Sequence, residues 1–464
     1  MVHSYYLNGY YIALDVNSGA VHVLDNTAYD VLNAVTETGM GENTPQRLYG
    51  ALPQYPASDV DEAFSELYSL YTDGLLFSGD EYVDTELLIK NVSPVKALCL
   101  NIAHDCNLRC EYCFAATGEY GHGRKLMPVE TAKRAMDFLI EHSKGRRNLE
   151  VDFFGGEPLL NLDAVKQTVA YARTLEEKHN KRFRFTLTTN GILLDDGAMD
   201  FINAEMENVV LSIDGRREIT DNMRRHPNGG GTYDKIVPKF LKIAESRKQD
   251  RYYVRGTFTK YNLDFSRDVL HLAELGFLQT SIEPVVAKSD MPYAITEGDL
   301  PRIFEEYERL ALEMLKADGE GRPFNFFHFN VDLEQGPCAV KRLRGCGAGN
   351  EYLAVTPEGE VYPCHQFVGN KAFLMGTVDT GVDMEMKKSF AAANVYTREE
   401  CRNCFAKFYC SGGCSANNCN FNGDILVPCK IGCEMEKKRI ECAIMMKVAK
   451  EINYAICKGD RFTW

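Results

Sequence analysis

The sequence predicts an α/β protein built on a parallel sheet, either doubly wound or curled into a partial barrel. Two observations carry this. From about residue 95 to 290, strand-like runs (VKALCLNIA, LEVDFFG, FRFTLTTN, NVVLSIDG, YYVRGTF and TSIEPVV) alternate with helical patterns such as VETAKRAMDFLIEHSK and LDAVKQTVAYARTLEEKH. Six strand–helix repeats imply parallel pairing with crossover helices. The strands also end in polar or glycine residues: His104-Asp105-Cys106, Gly155-Gly156-Glu157, Thr188-Thr189-Asn190 and Ser212-Ile213-Asp214. In such folds chemistry gathers at the C-terminal ends of the strands.

Ahead of this region, YYIALDV and AVHVLD read as two strands joined by a turn at Asn17-Ser18-Gly19. Helical patterns follow at about 26–37 and 59–72, the second closed by Asp73-Gly74. Strands and short helices at this size suggest a small winged-helix-like module, with NVSP at 91–94 as a linker. A helical bridge is expected at roughly 298–320. Residues 338–464 read as loop-rich and hold twelve of the sixteen cysteines. The expected organisation is therefore 1–90, 91–297, 298–337 and 338–464.

Composition narrows the function. At 464 residues, 45% hydrophobic and 25% charged, the chain has room for two or three domains and a large core. Its start lacks a basic segment followed by an apolar one, and no apolar run reaches the ~18 residues of a membrane span. The expectation is a cytoplasmic protein with reduced thiols, whose cysteines serve as metal ligands rather than disulfides. A net charge of −14 argues against nucleic-acid binding. Residues 1–90 hold fourteen Asp and Glu against Arg47 and Lys90, so nearly the whole imbalance sits there. That stretch suits either a solvated acidic surface or a dock for a basic partner such as a Lys-rich peptide.

The segment CNLRCEYCF sets Cys106, Cys110 and Cys113 directly after the first barrel strand. Three thiolates on a short loop can hold three corners of an iron–sulfur cube and leave one iron open to bind a small molecule. The competing reading is three of four zinc ligands.

The pattern C-x3-C-x-aromatic-C, with Tyr112 as the aromatic, resembles the signature of the radical S-adenosylmethionine (SAM) enzymes. The resemblance covers about 95–290 and implies a six-stranded, TIM-like partial barrel. In that family the open iron chelates the amino and carboxylate groups of SAM, and an electron from the cluster cleaves SAM to a 5′-deoxyadenosyl radical. Gly155-Gly156-Glu157-Pro158 resembles the family's GGE motif, which holds the SAM ammonium through backbone and carboxylate. Thr188, Asn190, Ser212 and Asp214 lie where the family contacts the ribose and methionine portions. Asp221-Asn222-Met223-Arg224 looks like the family's D-x-x-R segment, so Arg224, or Arg225 beside it, is expected to pair with the SAM carboxylate.

Downstream, Cys346, Cys364 in GEVYPC, the run Cys401-x2-Cys404-x5-Cys410-x3-Cys414, and Cys433 look like the SPASM extension, which carries two auxiliary [4Fe–4S] clusters. A zinc ribbon is the alternative. The resemblance implies one cluster on Cys346, Cys364 and Cys414, with Cys338 as the fourth ligand or absent. The other cluster falls to Cys401, Cys404, Cys410 and Cys433, with Cys429 competing for the last place. If Cys338 binds, both clusters are closed; if not, an open iron could take a substrate thiolate. Cys99 and Cys457 read as packing residues or free thiols. Enzymes that make formylglycine carry an aspartate after the GEVYPC-like cysteine as a proposed base. Here that residue is His365, which weakens the sulfatase-maturase reading and leaves His365 as either a catalytic group or a surface histidine.

Residues 1–90 resemble the winged-helix domain that binds leader peptides by strand addition, and YIALDVNSGAVHVLDNTAYDVL resembles the opening of the SCIFF-peptide maturases. The whole-chain resemblance implies an enzyme of a low-oxygen cell with three [4Fe–4S] clusters and SAM. It would install a thioether (sactionine) in a Cys-rich precursor peptide and be fed by a low-potential electron donor. Other radical SAM peptide modifications (a carbon–carbon cross-link, a dehydrogenation or formylglycine-type oxidation) are the rivals, and a non-enzymatic Fe–S or zinc peptide adaptor is a further one. No membrane or nucleic-acid partner is expected.

Overall fold

A computed structural model of the chain describes residues 1–36, 40, 44–83, 92–121, 123–333 and 339–458. It opens with an antiparallel meander, β1 (Val2–Leu7), β2 (Tyr10–Asp15) and β3 (Val21–Leu24). Sequence reasoning missed β1. Its signal was the Asn8-Gly9 pair, whose φ values of 51° and 93° make the left-handed two-residue turn that favours hairpins. Helices Asn26–Thr36 and Ala57–Thr72 fall close to their expected positions. The central strand is buried on both faces. Ala13 packs with Val31, Leu32, Val60 and Phe64 of the two helices, while Ile12 and Leu14 join the core of the rest of the molecule.

The main sheet follows in chain order: β4 (Ala97–His104), the short β5 (Arg109–Cys110) and β6 (Lys125–Leu126), β7 (Asn148–Gly155), β8 (Arg182–Thr189), β9 (Met206–Ser212), the short β10 (Arg224–Arg225), β11 (Tyr252–Phe258), β12 (Gln279–Pro284) and β13 (Asn325–Phe326). The order β4-β7-β8-β9-β11-β12-β13 is parallel throughout. Helices Val129–Ser143, Leu162–His179, Asp196–Glu205, Tyr233–Ser246 and Ser266–Glu274 fill the crossovers. This is the expected α/β partial barrel, and it places all six strand ends on one rim. Every residue of β4 is buried, because it has neighbours on both edges.

The cysteine-rich segment differs from expectation in two ways. Its first strand, β14 (Tyr352–Val355), pairs in parallel with β4, so the main sheet runs across the boundary expected near residue 338. β15 (Glu360–Tyr362), β16 (Gly376–Thr377) and β17 (Gly381–Val382) then extend it antiparallel. The segment is also less loop-rich than its cysteines suggest, since it ends in a helix over Lys430–Lys458. In this helix Cys442 to Met446 are all buried, and such a stretch shows little one-sided periodicity. It packs along Leu300–Gly319, the expected bridge helix, where Lys438 Nζ lies 2.5 Å from Glu308. Cys338 lies outside the described residues. Among the described residues no helix is long and apolar enough to cross a membrane.

Candidate active site

Two glycines fasten the three-cysteine loop to the sheet. A Cβ on Gly155 would lie 2.3 Å from the Ala103 carbonyl oxygen, and one on Gly156 would lie 2.1 Å from that of Asp105. The bare backbone instead donates from Gly156 N–H to Ala103 O (2.8 Å) and from Glu157 N–H to Asp105 O (2.9 Å). The loop's second attachment is the ladder of β5 and β10, which sets Cys110 opposite Arg224.

Asp214 anchors the far side. Fully buried at the end of β9, its carboxylate accepts from Tyr112 Oη (2.7 Å), Arg224 Nε (3.0 Å) and the Thr257 N–H (2.9 Å). Burial opposes the charge of Arg224, but the adjacent Asp214 more than offsets it and holds the guanidinium protonated. The Arg224 guanidinium also sits 5.5 Å from the centre of the Tyr112 ring.

These pieces enclose a cavity of about 210 Å³ lined by Cys106, Cys110, Tyr112, Cys113, Gly155, Gly156, Thr188, Asn190, Ser212, Arg224 and His365. Eleven sequence-predicted residues thus meet in one place. Two others do not reach it. The Glu157 carboxylate is buried and accepts from Thr189 Oγ1 (2.7 Å), Asn190 N–H (2.8 Å) and Leu159 N–H (3.0 Å), so it positions the end of β8. Burial pushes its carboxyl up to about 7. Asp214 acts through Arg224 and Tyr112 and does not face the cavity. Arg225, the alternative to Arg224, is exposed and pairs across the ladder with Arg109.

His365 is a cavity residue rather than a surface one. Its ring lies 4.8 Å from Phe154 and 5.5 Å from Phe114, and Nδ1 is 3.3 Å from Tyr352 Oη. Burial and the charge of Arg255 push it down to about 4, so the imidazole is neutral near pH 7. Sequence reasoning missed Thr189, Arg255, Thr257, Glu283 and Gln366, which also line the cavity. The signal was available, since Thr257 and Glu283 lie within the strand runs YYVRGTF and TSIEPVV, towards the same rim. Arg255 and Glu283 form an ion pair there, and burial is overridden by Arg255 and His328 so that Glu283 is held down to about 2.

The loop thiols fit an iron–sulfur group. Cys106 Sγ accepts from the Leu108 N–H (3.4 Å) and from Asn190 Nδ2 (3.7 Å). Burial pushes both Cys106 and Cys110 up to about 12, so thiolates here call for a bound cation. Among the described residues no three or more His, Cys, Asp or Glu are placed to hold a single metal ion. The thiols instead border a cavity, as ligands of a multi-iron cube must.

The downstream cysteines form two neighbouring sets. Cys401, Cys404, Cys410 and Cys433 line one cavity of about 300 Å³. Cys429 does not line it and borders an adjacent cavity with Cys410, Cys414 and Cys433. Cys346 and Cys414 both lie near enough to Cys364 for their charges to add to the burial that pushes its thiol up. Cys99 and Cys442 are buried in the core.

Residues 100–260, which hold most of the parallel partial barrel and the three cysteines after its first strand, match the Radical SAM superfamily. The matched stretch, about a third of the chain, holds the three-cysteine loop and most of the residues that line the cavity. It is 21% identical to the radical SAM cyclopropyl synthase TigE of Paramaledivibacter caminithermalis, over 90% of this chain and 89% of that protein. Native anSMEcpe with bound AdoMet superposes with a TM-score of 0.62 at 20% identity, covering 78% of this chain and all (100%) of that one. Streptococcus suis SuiB bound to precursor peptide SuiA gives 0.52 at 14% identity, over 91% of this chain and 96% of that one.

Proposed function

We propose that the protein is a radical SAM peptide maturase that bonds a cysteine sulfur to a carbon within a ribosomally made, Cys-rich precursor peptide. One observation carries this reading. The three-cysteine loop, the barrel strand ends and His365-Gln366 of the cysteine-rich segment open into a single cavity. Relatives that work on or bind peptides, SuiB among them, support the substrate class.

Cys106, Cys110 and Cys113 would hold the SAM-binding cluster. Two auxiliary clusters would sit on Cys401, Cys404, Cys410 and Cys433 and on Cys346, Cys364 and Cys414, with Cys338 either completing the second or leaving an iron for the substrate thiolate. Loaded with SAM, the first cluster supplies the means to take a hydrogen atom from an unactivated carbon. The chain does the rest. Thr188, Asn190, Ser212 and Arg224 present polar contacts to SAM, and Phe114, Phe154, Val285 and Val286 give apolar walls that exclude water. The hydrogen atom would leave with the deoxyadenosyl fragment of SAM, neutral His365 can accept the proton of the substrate thiol, and the remaining electron would pass to an auxiliary cluster. The acidic residues 1–90 would dock a basic leader, an external low-potential donor would supply electrons, and the setting would be the cytoplasm of a low-oxygen cell.

Anaerobic incubation of the iron-loaded protein with SAM, reductant and a Cys-rich peptide tests the reading. A thioether leaves the peptide two hydrogens lighter and protects one cysteine from alkylation. The whole-length likeness to a cyclopropyl synthase favours carbon–carbon bond formation as a second reading, whose product loses the same mass but leaves every cysteine alkylatable. Zinc without iron, or no SAM cleavage, would indicate an adaptor instead.

A further inference from the structure

The amino-terminal module meets the molecule at the second cysteine set. Lys407 lies between Cys404 and Cys410 in the sequence and lines the cavity those two share with Cys401 and Cys433. Its side chain is 3% exposed, and a buried ammonium needs a counter-ion. That counter-ion comes from the far end of the chain: Asp80 Oδ2 lies 2.7 Å from Lys407 Nζ. Tyr396 Oη donates to Asp80 Oδ1 at 2.8 Å, and the Tyr396 and Phe408 rings flank the ammonium at 5.5 and 4.9 Å. Beside this pair, His3 stacks on Phe405 at 3.5 Å, with Nε2 3.0 Å from Glu441.

The other charges around this cavity are arranged differently. Lys437 pairs with Glu434 one helical turn away, and Lys430 is a solvent-exposed side chain. Lys407 alone among these lysines is neutralised by the amino-terminal module. A buried positive charge beside a cluster favours the added electron, and a negative one disfavours it, far more strongly than either would in water.

We propose that Asp80 and Lys407 are a positioning pair that sets the reduction potential of the cluster on Cys401, Cys404, Cys410 and Cys433. The potential then depends on whether residues 1–83 are seated, so that an event at the amino-terminal module reaches an auxiliary cluster 327 positions away in sequence. The inference rests on the reading that these four cysteines hold an iron–sulfur cluster.

The test is a potentiometric titration of the full-length holoenzyme followed by electron paramagnetic resonance, with the relevant signal assigned by its loss in Cys433→Ala. Asp80→Asn leaves Lys407 unpaired and should raise the potential. Lys407→Met leaves Asp80 and should lower it. The double variant should return close to wild type, and Asp80→Glu and Lys407→Arg should stay there. Should Lys407→Met fail to accumulate, the direction of Asp80→Asn decides. Single variants that leave the potential unmoved, or move it in the same direction, overturn the inference while the cluster reading stands. A wild-type protein without the signal that Cys433→Ala removes overturns that reading and the inference with it.

Discussion

Gly156 lets two stretches of backbone touch, and the smallest addition there should be felt at the cysteines. A Gly156→Ala methyl would need the space 2.1 Å from Asp105 O and 3.1 Å from Cys106 Cβ, so the loop must shift. The expected outcome is loss of the iron of this site with unchanged far-ultraviolet circular dichroism, measured as iron and sulfide per chain. Full iron content in the variant would refute it. Asp214 poses a different case, because it neutralises a buried arginine. Asp214→Ala removes one partner of a buried pair and should cost about 3–5 kcal/mol, read as a lowered urea midpoint of the iron-free protein. A change below about 1 kcal/mol would show that water or another group takes over the role. The residues with chain-spanning motifs were legible in advance, and those whose role depends on a partner were not. Glu157 and Asp214 were placed at the right strand ends, yet their carboxylates turn into the protein, because their donors Thr189, Asn190, Tyr112 and Arg224 lie on neighbouring strands and loops.

At the scale of elements, the six barrel strands could be read directly, since buried parallel strands appear as apolar runs with turn signals at each end. β1, β14 and the Lys430–Lys458 helix could not. The first is short and mixed in polarity, the second finds its partner some 250 residues earlier in the chain, as Leu353 against Leu98, and the third is buried around part of its circumference. The amino-terminal element also carries a pH dependence. Asp15 accepts from Ser18 and Ser78, and Asp80 from Lys407 and Tyr396; in each case these donors outweigh burial and hold the carboxyl below its usual value. A carboxylate with a lowered folded value contributes stability above its unfolded value, about 3.9, and loses it as pH falls through the lower folded one. Residues 1–83 should therefore loosen below about pH 4, detected as earlier proteolytic cleavage within that element than in the rest of the chain. Cleavage that begins only with global unfolding would contradict this.

At the scale of the whole molecule, the amino-terminal meander is buried between two cores. Tyr5, Leu7, Ile12, Leu14 and Val16 belong to the main one. Deleting residues 1–91 bares the apolar surface that these five side chains cover, a loss on the order of 10 kcal/mol, comparable to the whole stability of a typical domain. A chain beginning at residue 92 should therefore aggregate on size-exclusion chromatography, and a monomer with the full-length melting temperature would disprove this. The same burial bears on engineering. Were residues 1–83 the peptide dock proposed above, they could not be exchanged like a module on a flexible tether: a graft would need its own partners for Tyr396, Phe405, Lys407 and Glu441, and changing the solvent-facing residues in place is the more workable route.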